Sequence, residues 1–78
     1  MKSQVNGEKN DLNALFRIAC ENLPYSKYKI VREELMEVLH WSYPTFYTRL
    51  RGERKIKPLE IPHIEEVFSK HGVLVFKQ

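Results

Sequence analysis

The chain has a single cysteine, Cys20, in 78 residues, so no disulfide can form within it. Cys20 stands among Ile18, Ala19 and Leu23 and is expected as a buried thiol, which suits a reducing, cytoplasmic setting. No run approaches the ~18 consecutive apolar residues of a membrane helix, so no membrane partner is expected. Met1 to Asn10 has no apolar core of the kind a signal peptide carries. This polar stretch, with Gly7 in it, is expected as a flexible N-terminal arm over 1–10. His40, His63 and His71 are scattered, and one cysteine with no clustered carboxylates completes no tetrahedral set with them. No metal and no cofactor are therefore expected. There is no nucleophile–base pair, no glycine-rich phosphate loop and no paired carboxylate, and the chain is short for a substrate pocket. An enzymatic reading has no residues to carry it. Internal repeats and low-complexity tracts are missing too.

What is present is an ordinary globular composition, 42% hydrophobic, in a chain long enough for one domain with a thin core. The net charge is +3, and its distribution matters more than its size. Lys27, Lys29, Arg32, Arg49, Arg51, Arg54, Lys55 and Lys57 face only Glu33, Glu34, Glu37 and Glu53 over residues 27–57, while the rest of the chain is slightly acidic. A basic region of this kind suits a polyanion; an ordinary solvated charged face is the competing reading.

Apolar residues recur at helical spacing in four places. Leu12, Leu15, Phe16, Ala19 and Leu23 predict a helix over about 11–23, capped by Asn10 or Asp11 and ended by Pro24. Pro24 to Lys29 reads as a polar loop. Val31, Leu35, Val38 and Leu39 predict a second helix over about 30–40. Ser42 as N-cap, Pro44 in the first turn and Gly52 as a left-handed stop predict a third over about 43–51, with Phe46 and Leu50 facing inward. Ile61, Ile64, Val67 and Phe68 predict a fourth, from about Pro62 to about 71. The expected fold is all-α, a compact four-helix domain over 11–72 with a helix-turn-helix at its centre. Residues 73–78 form a C-terminal segment in which Val73 to Phe76 has the composition of a short strand.

Two short helices meeting at a tight turn, the second opened by a small polar cap, are what a helix-turn-helix requires. The run from Leu35 to Arg54 resembles the lambda-repressor-like, Cro/repressor-type helix-turn-helix family. Leu35 and Leu39 in the support helix, Ser42 opening the recognition helix, Thr45-Phe46, and Gly52 followed by Arg54 match that pattern. The stripe Ile61, Ile64, Phe68 falls where the family packs its fourth helix. The likeness covers about half the chain. Met36 stands where a small residue is usual, His40 where glycine is usual, and Arg49 where the family is usually apolar.

The resemblance implies sequence-specific binding of double-stranded DNA by a repressor-like transcription regulator of the phage or mobile-element type. By it, Ser42, Tyr43, Pro44, Tyr47, Thr48 and Arg51 are the outward, base-reading positions. Arginine can bond guanine in bidentate fashion, and hydroxyls, methyls and rings can meet base edges. Arg32, Arg49, Arg54, Lys55 and Lys57 are the expected phosphate contacts. Tyr43 and Tyr47 have a competing reading as packed aromatics, and Trp41 is expected in the core. A homodimer is expected, since one helix-turn-helix reads few base pairs; antiparallel pairing of Val73 to Phe76 across a two-fold axis would supply it, unless that segment folds back over its own core. The rival function is a small helical protein–protein interaction module or antitoxin, in which the basic charge would be incidental.

Overall fold

A computed structural model of the chain describes residues 11–76, and the N-terminal arm expected over 1–10 lies outside the described residues. Four α-helices and one short 3-10 turn follow one another: α1 (Leu12–Glu21), α2 (Tyr25–Leu39), α3 (Tyr43–Arg51), the 3-10 turn Pro58–Glu60, and α4 (Ile61–Lys70). The all-α, four-helix expectation holds. No helix among the described residues is long and apolar enough to cross a membrane.

Asp11 caps α1, its carboxylate accepting from the backbone N–H groups of Asn13 and Ala14 at 3.0 and 3.4 Å, which pairs two of the four N–H groups a helix start leaves free. The stretch from Pro24 to Lys29, expected as a loop, is helical instead. Pro24 has φ −59° and ψ 152° and stands at the N-cap position of α2, which runs for 15 residues from Tyr25. Proline needs the backbone before it extended but does not oppose a helix after it. Nothing from Tyr25 to Lys29 breaks a helix, and the N–H of Tyr28 reaches the Pro24 carbonyl at 2.8 Å.

α2 stops at His40, whose φ of 57° is the left-handed conformation. The N–H of Trp41 then reaches back to the Met36 carbonyl at 2.9 Å, the closing bond of a Schellman-type cap. The turn after α2 therefore takes a left-handed residue and fills it with an exposed histidine. Ser42 accepts from the N–H of Thr45 at 3.3 Å, Pro44 falls in the first turn of α3, and Gly52 ends the helix at φ 82°. Pro62 lies at the start of α4, where a missing N–H costs nothing, so the 3-10 turn runs straight into that helix.

The core is built on three fully buried phenylalanines. Phe16 meets Trp41, Phe46 and Phe68 edge-on, with centroids 6.3, 5.8 and 6.0 Å away, a geometry that ring quadrupoles favour. Val31, Leu35 and Ile64 are also fully buried, and Cys20 and Trp41 are buried as expected. Val38 is not: it is 43% exposed, and the neighbouring Leu39 packs on the core in its place. The largest helix interfaces are interleaved, α1 on α3 and α2 on α4.

The strand expected over Val73 to Phe76 does not form; no strand occurs among the described residues. The N–H of Val73 bonds the Phe68 carbonyl at 3.0 Å, Val75 is buried, Val73 and Phe76 pack on the core, and Leu74 is left exposed. The segment finds its apolar partners on its own domain.

Candidate nucleic-acid interface

A 100° step per residue divides α3 into two faces. Phe46 and Arg49 point inward and are 0 and 8% exposed. Pro44, Thr48 and Arg51 fall on the opposite side. Ser42, Tyr43 and Pro44 at the start of the helix are exposed, as is Arg51 at its end, while Tyr47 and Thr48 are half-buried. Five of the six expected base-reading residues thus lie on the open side or the N-terminal end of one nine-residue helix, while Tyr47 packs partly against the core, 5.1 Å from the Phe46 ring.

Several of these groups have partners within the domain. The Thr48 hydroxyl donates to the Thr45 carbonyl at 2.8 Å, so its proton is used within α3 and its oxygen can still accept. Arg51 holds Glu53 in a fork, Nε to Oε2 at 2.8 Å and Nη2 to Oε1 at 3.3 Å. Both side chains are more than half exposed, so water competes for the pair and it opens at little cost.

Tyr43 and Tyr47 belong to an aromatic cluster that also holds an arginine. The Arg32 guanidinium lies over the rings of Tyr28 and Tyr43, 5.5 and 5.1 Å from their centroids. Its Nη1 donates to the Tyr47 hydroxyl at 3.5 Å, and that hydroxyl is 3.4 Å from the hydroxyl of Tyr28. Burial, then the Tyr47 hydroxyl, pushes Tyr28 up to about 12. Tyr47 moves the other way, chiefly through its bond to Tyr28, with Arg32 adding to the effect. For Arg32 itself burial works against the charge, but the tyrosine contacts outweigh it and its pKa is raised. Arg32 sits mid-way along α2, not at its start, and is only 9% exposed. Its Nε is buried without a hydrogen-bond partner and its Nη2 lies 3.8 Å from Glu33 Oε2, so the cation is held within the domain and, like Arg49, is not an exposed phosphate contact.

Arg49 leaves the expected phosphate set. Its Nη2 lies 3.2 Å from Glu60 Oε2, its Nε 3.4 Å from Oε1, and its guanidinium 5.5 Å from the Trp41 ring centroid. Its position on the inner face of α3 forces it inward, and the carboxylate of Glu60 makes that burial tolerable. Glu60 also accepts from the Trp41 indole at 3.1 Å and from the Lys57 backbone N–H at 2.9 Å. Burial alone would raise the Glu60 pKa; the Lys57 amide, Arg49 and Trp41 together more than offset it, and the carboxyl lies below its usual range.

Arg54, Lys55 and Lys57 are all exposed, in the connector that follows α3. The connector's backbone is fastened despite having no regular structure. The N–H of Arg54 bonds the Thr48 carbonyl at 3.3 Å, Ile56 is buried, and Glu60 holds the N–H of Lys57. Asn13, on α1, holds the middle: its Nδ2 donates to the carbonyls of Arg49 and Arg54 at 2.7 and 2.9 Å, and its Oδ1 accepts from the N–H of Ile56 at 3.4 Å.

Sequence reasoning missed Asn13, Glu60 and Tyr28. For Glu60 a signal existed: Lys57-Pro58-Leu59-Glu60 has proline at a first helical position and a carboxylate two residues on, the pattern of a capped helix start. Asn13 and Tyr28 carry no local mark of their partners.

Neither a family model, nor a curated protein, nor a solved structure matches this chain.

Proposed function

We propose that the protein binds double-stranded DNA sequence-specifically, as a small repressor-like transcription regulator of the cytoplasm, with α3 in the major groove. One observation carries the reading. A short helix docked by Phe46 and Arg49 leaves Pro44, Thr48 and Arg51 on its outer side and runs directly into a fastened connector bearing Arg54, Lys55 and Lys57. Groups able to meet base edges are followed at once by cations able to hold the backbone, the division of labour that DNA recognition uses.

In this reading Arg51 leaves Glu53 for a guanine edge, and Ser42, Tyr43, Pro44, Tyr47 and Thr48 contact bases or methyl groups. Arg54, Lys55 and Lys57 hold phosphates. Two copies pair on the DNA, each on one half-site about one helical turn from the other. Selection from random duplexes followed by gel-shift titration tests the reading. Enrichment of a two-fold symmetric site, bound far more tightly than random duplex, supports it; equal, weak binding of every sequence overturns it and leaves the interaction-module alternative.

A further inference from the structure

Asn13 is 6% exposed, and the hydrogen bonds of its side chain all go to residues distant in sequence. The three backbone groups it bonds lie 36, 41 and 43 positions away, on both sides of the turn at Gly52. A carboxamide has two donor hydrogens and one acceptor oxygen. Here both hydrogens serve carbonyls, one in the last turn of α3 and one in the connector, while the oxygen takes an N–H two residues further on. Aspartate has the same shape and no donors, and would set negative oxygens against two carbonyls. Alanine leaves all three backbone groups without that partner. The requirement is for an amide, and no other side chain among the described residues ties the Arg54 backbone to α3: Arg54 is otherwise held by its N–H on the Thr48 carbonyl. Gly52 lies close by, and a Cβ placed on it would come 4.0 Å from the Asn13 Cβ, so α1 sits directly on the turn where helix gives way to connector.

We infer that Asn13 is a positioning residue that fixes the basic connector at Arg54 and Ile56 relative to the end of α3, so that the cations gripping phosphate stay in register with the side chains reading bases. This rests on the DNA-binding reading, and it assigns a role in that reading to a buried residue on a helix that need not approach the DNA. The physical reason is geometric. Arg54, Lys55 and Lys57 have long, flexible stems, and only a fixed backbone gives their charges fixed positions. Without one, each cation must be ordered at the moment of binding, at an entropic cost.

The test uses the full chain and the best duplex from selection, titrated over a range of salt. Wild type, Asn13→Ala, the triple variant Arg54→Ala/Lys55→Ala/Lys57→Ala, and the combination of all four are compared. Trp41 fluorescence and helical circular dichroism report whether each variant is folded. Asn13→Ala is expected to reduce the log–log salt slope by about one to three, at roughly 0.9 for each phosphate no longer neutralised, while preference for the selected site over random duplex falls less than affinity does. In the triple background the same substitution is expected to change affinity by less than about twofold, since the groups it positions are gone. A wild-type slope in Asn13→Ala, or a loss that multiplies fully with the triple loss, overturns the inference while leaving the DNA-binding reading intact. Failure of wild type to bind any duplex overturns that reading, and the inference with it. Asn13→Ser, which keeps one donor, is the second variant; if neither folds, Asn13 serves the fold alone and the inference is wrong.

Discussion

Arg49 and Glu60 form an ion pair, Nη2 to Oε2 at 3.2 Å, with side chains only 10 and 13% exposed. It joins α3 to the 3-10 turn before α4. Removing one member of such a pair leaves the other charged, buried and unpaired, at a cost of about 3–5 kcal/mol. Glu60→Ala strands Arg49, the Trp41 indole and the Lys57 amide together. Arg49→Met leaves a carboxylate that still receives the indole and the amide. Urea denaturation followed by Trp41 fluorescence is expected to rank Glu60→Ala well below Arg49→Met, and both below wild type.

Acid sensitivity follows from the same carboxylate. The pKa values of Glu60 and Glu34 are lowered in the folded chain, Glu34 by its bonds to Lys70 and then His71. A group with a depressed folded pKa stabilises the fold fully above its unfolded value and loses that contribution as pH falls through the folded value. Stability is therefore expected to hold at neutral pH and to decline on acidification below the ordinary glutamate value of 4.5. Glu60→Gln should start lower and fall less steeply over that range. Parallel curves for the two proteins would mean Glu60 is not the group responsible.

His40 gives a prediction of opposite sign. Its φ of 57° strains any residue with a Cβ by about 1–2 kcal/mol, β-branched residues most. It is exposed, so substitution removes no buried contact. His40→Gly is expected to match or exceed wild-type stability, and His40→Val to fall short of it by about 1–2 kcal/mol. Denaturation midpoints decide the order.

The C-terminal segment separates two kinds of assembly. Because Val75 is 3% exposed on its own core, a chain ended at Gly72 is expected to lose at least about 1.5–3 kcal/mol, the contribution of burying that one side chain, with the partial packing of Val73 and Phe76 adding to it. That loss should be independent of protein concentration, and sedimentation of the free full-length chain should show a monomer. A dimer in the absence of DNA that disappears on truncation would restore the strand-pairing arrangement.

For binding itself, Arg51→Ala or Thr48→Ala is expected to cost about 1–3 kcal/mol on the preferred site and little on random duplex. Lys57→Ala should weaken both alike, and Arg49→Met should leave the salt slope unchanged. Equal losses on both duplexes for Arg51→Ala and Thr48→Ala would mean α3 is not in the groove.

α3 was legible because its signals are local: Ser42, Pro44 and Gly52 each act on backbone within one turn. Pro24 misled because a proline that ends one helix can also open the next, and only the packing of Tyr28 against Phe46 and Tyr47 shows which applies. Arg49 and Asn13 were illegible for a different reason. Charge and amide are outward-facing types by habit, and what reverses the habit is a partner 11 or 36–43 positions away, which no window of sequence contains.

The interleaving of the helices has a consequence for how the chain comes apart. With α1 against α3 and α2 against α4, a cut in the turn at His40 gives two peptides, each holding one member of both pairs. Neither peptide owns a core: Phe16 would be parted from Phe46 and Phe68, and Leu35 from Ile64. Native-state hydrogen exchange should consequently find one slowest-exchanging class of amides spread over all four helices, not a stable half and a frayed half. The two peptides, each unfolded alone, should regain helix only when mixed.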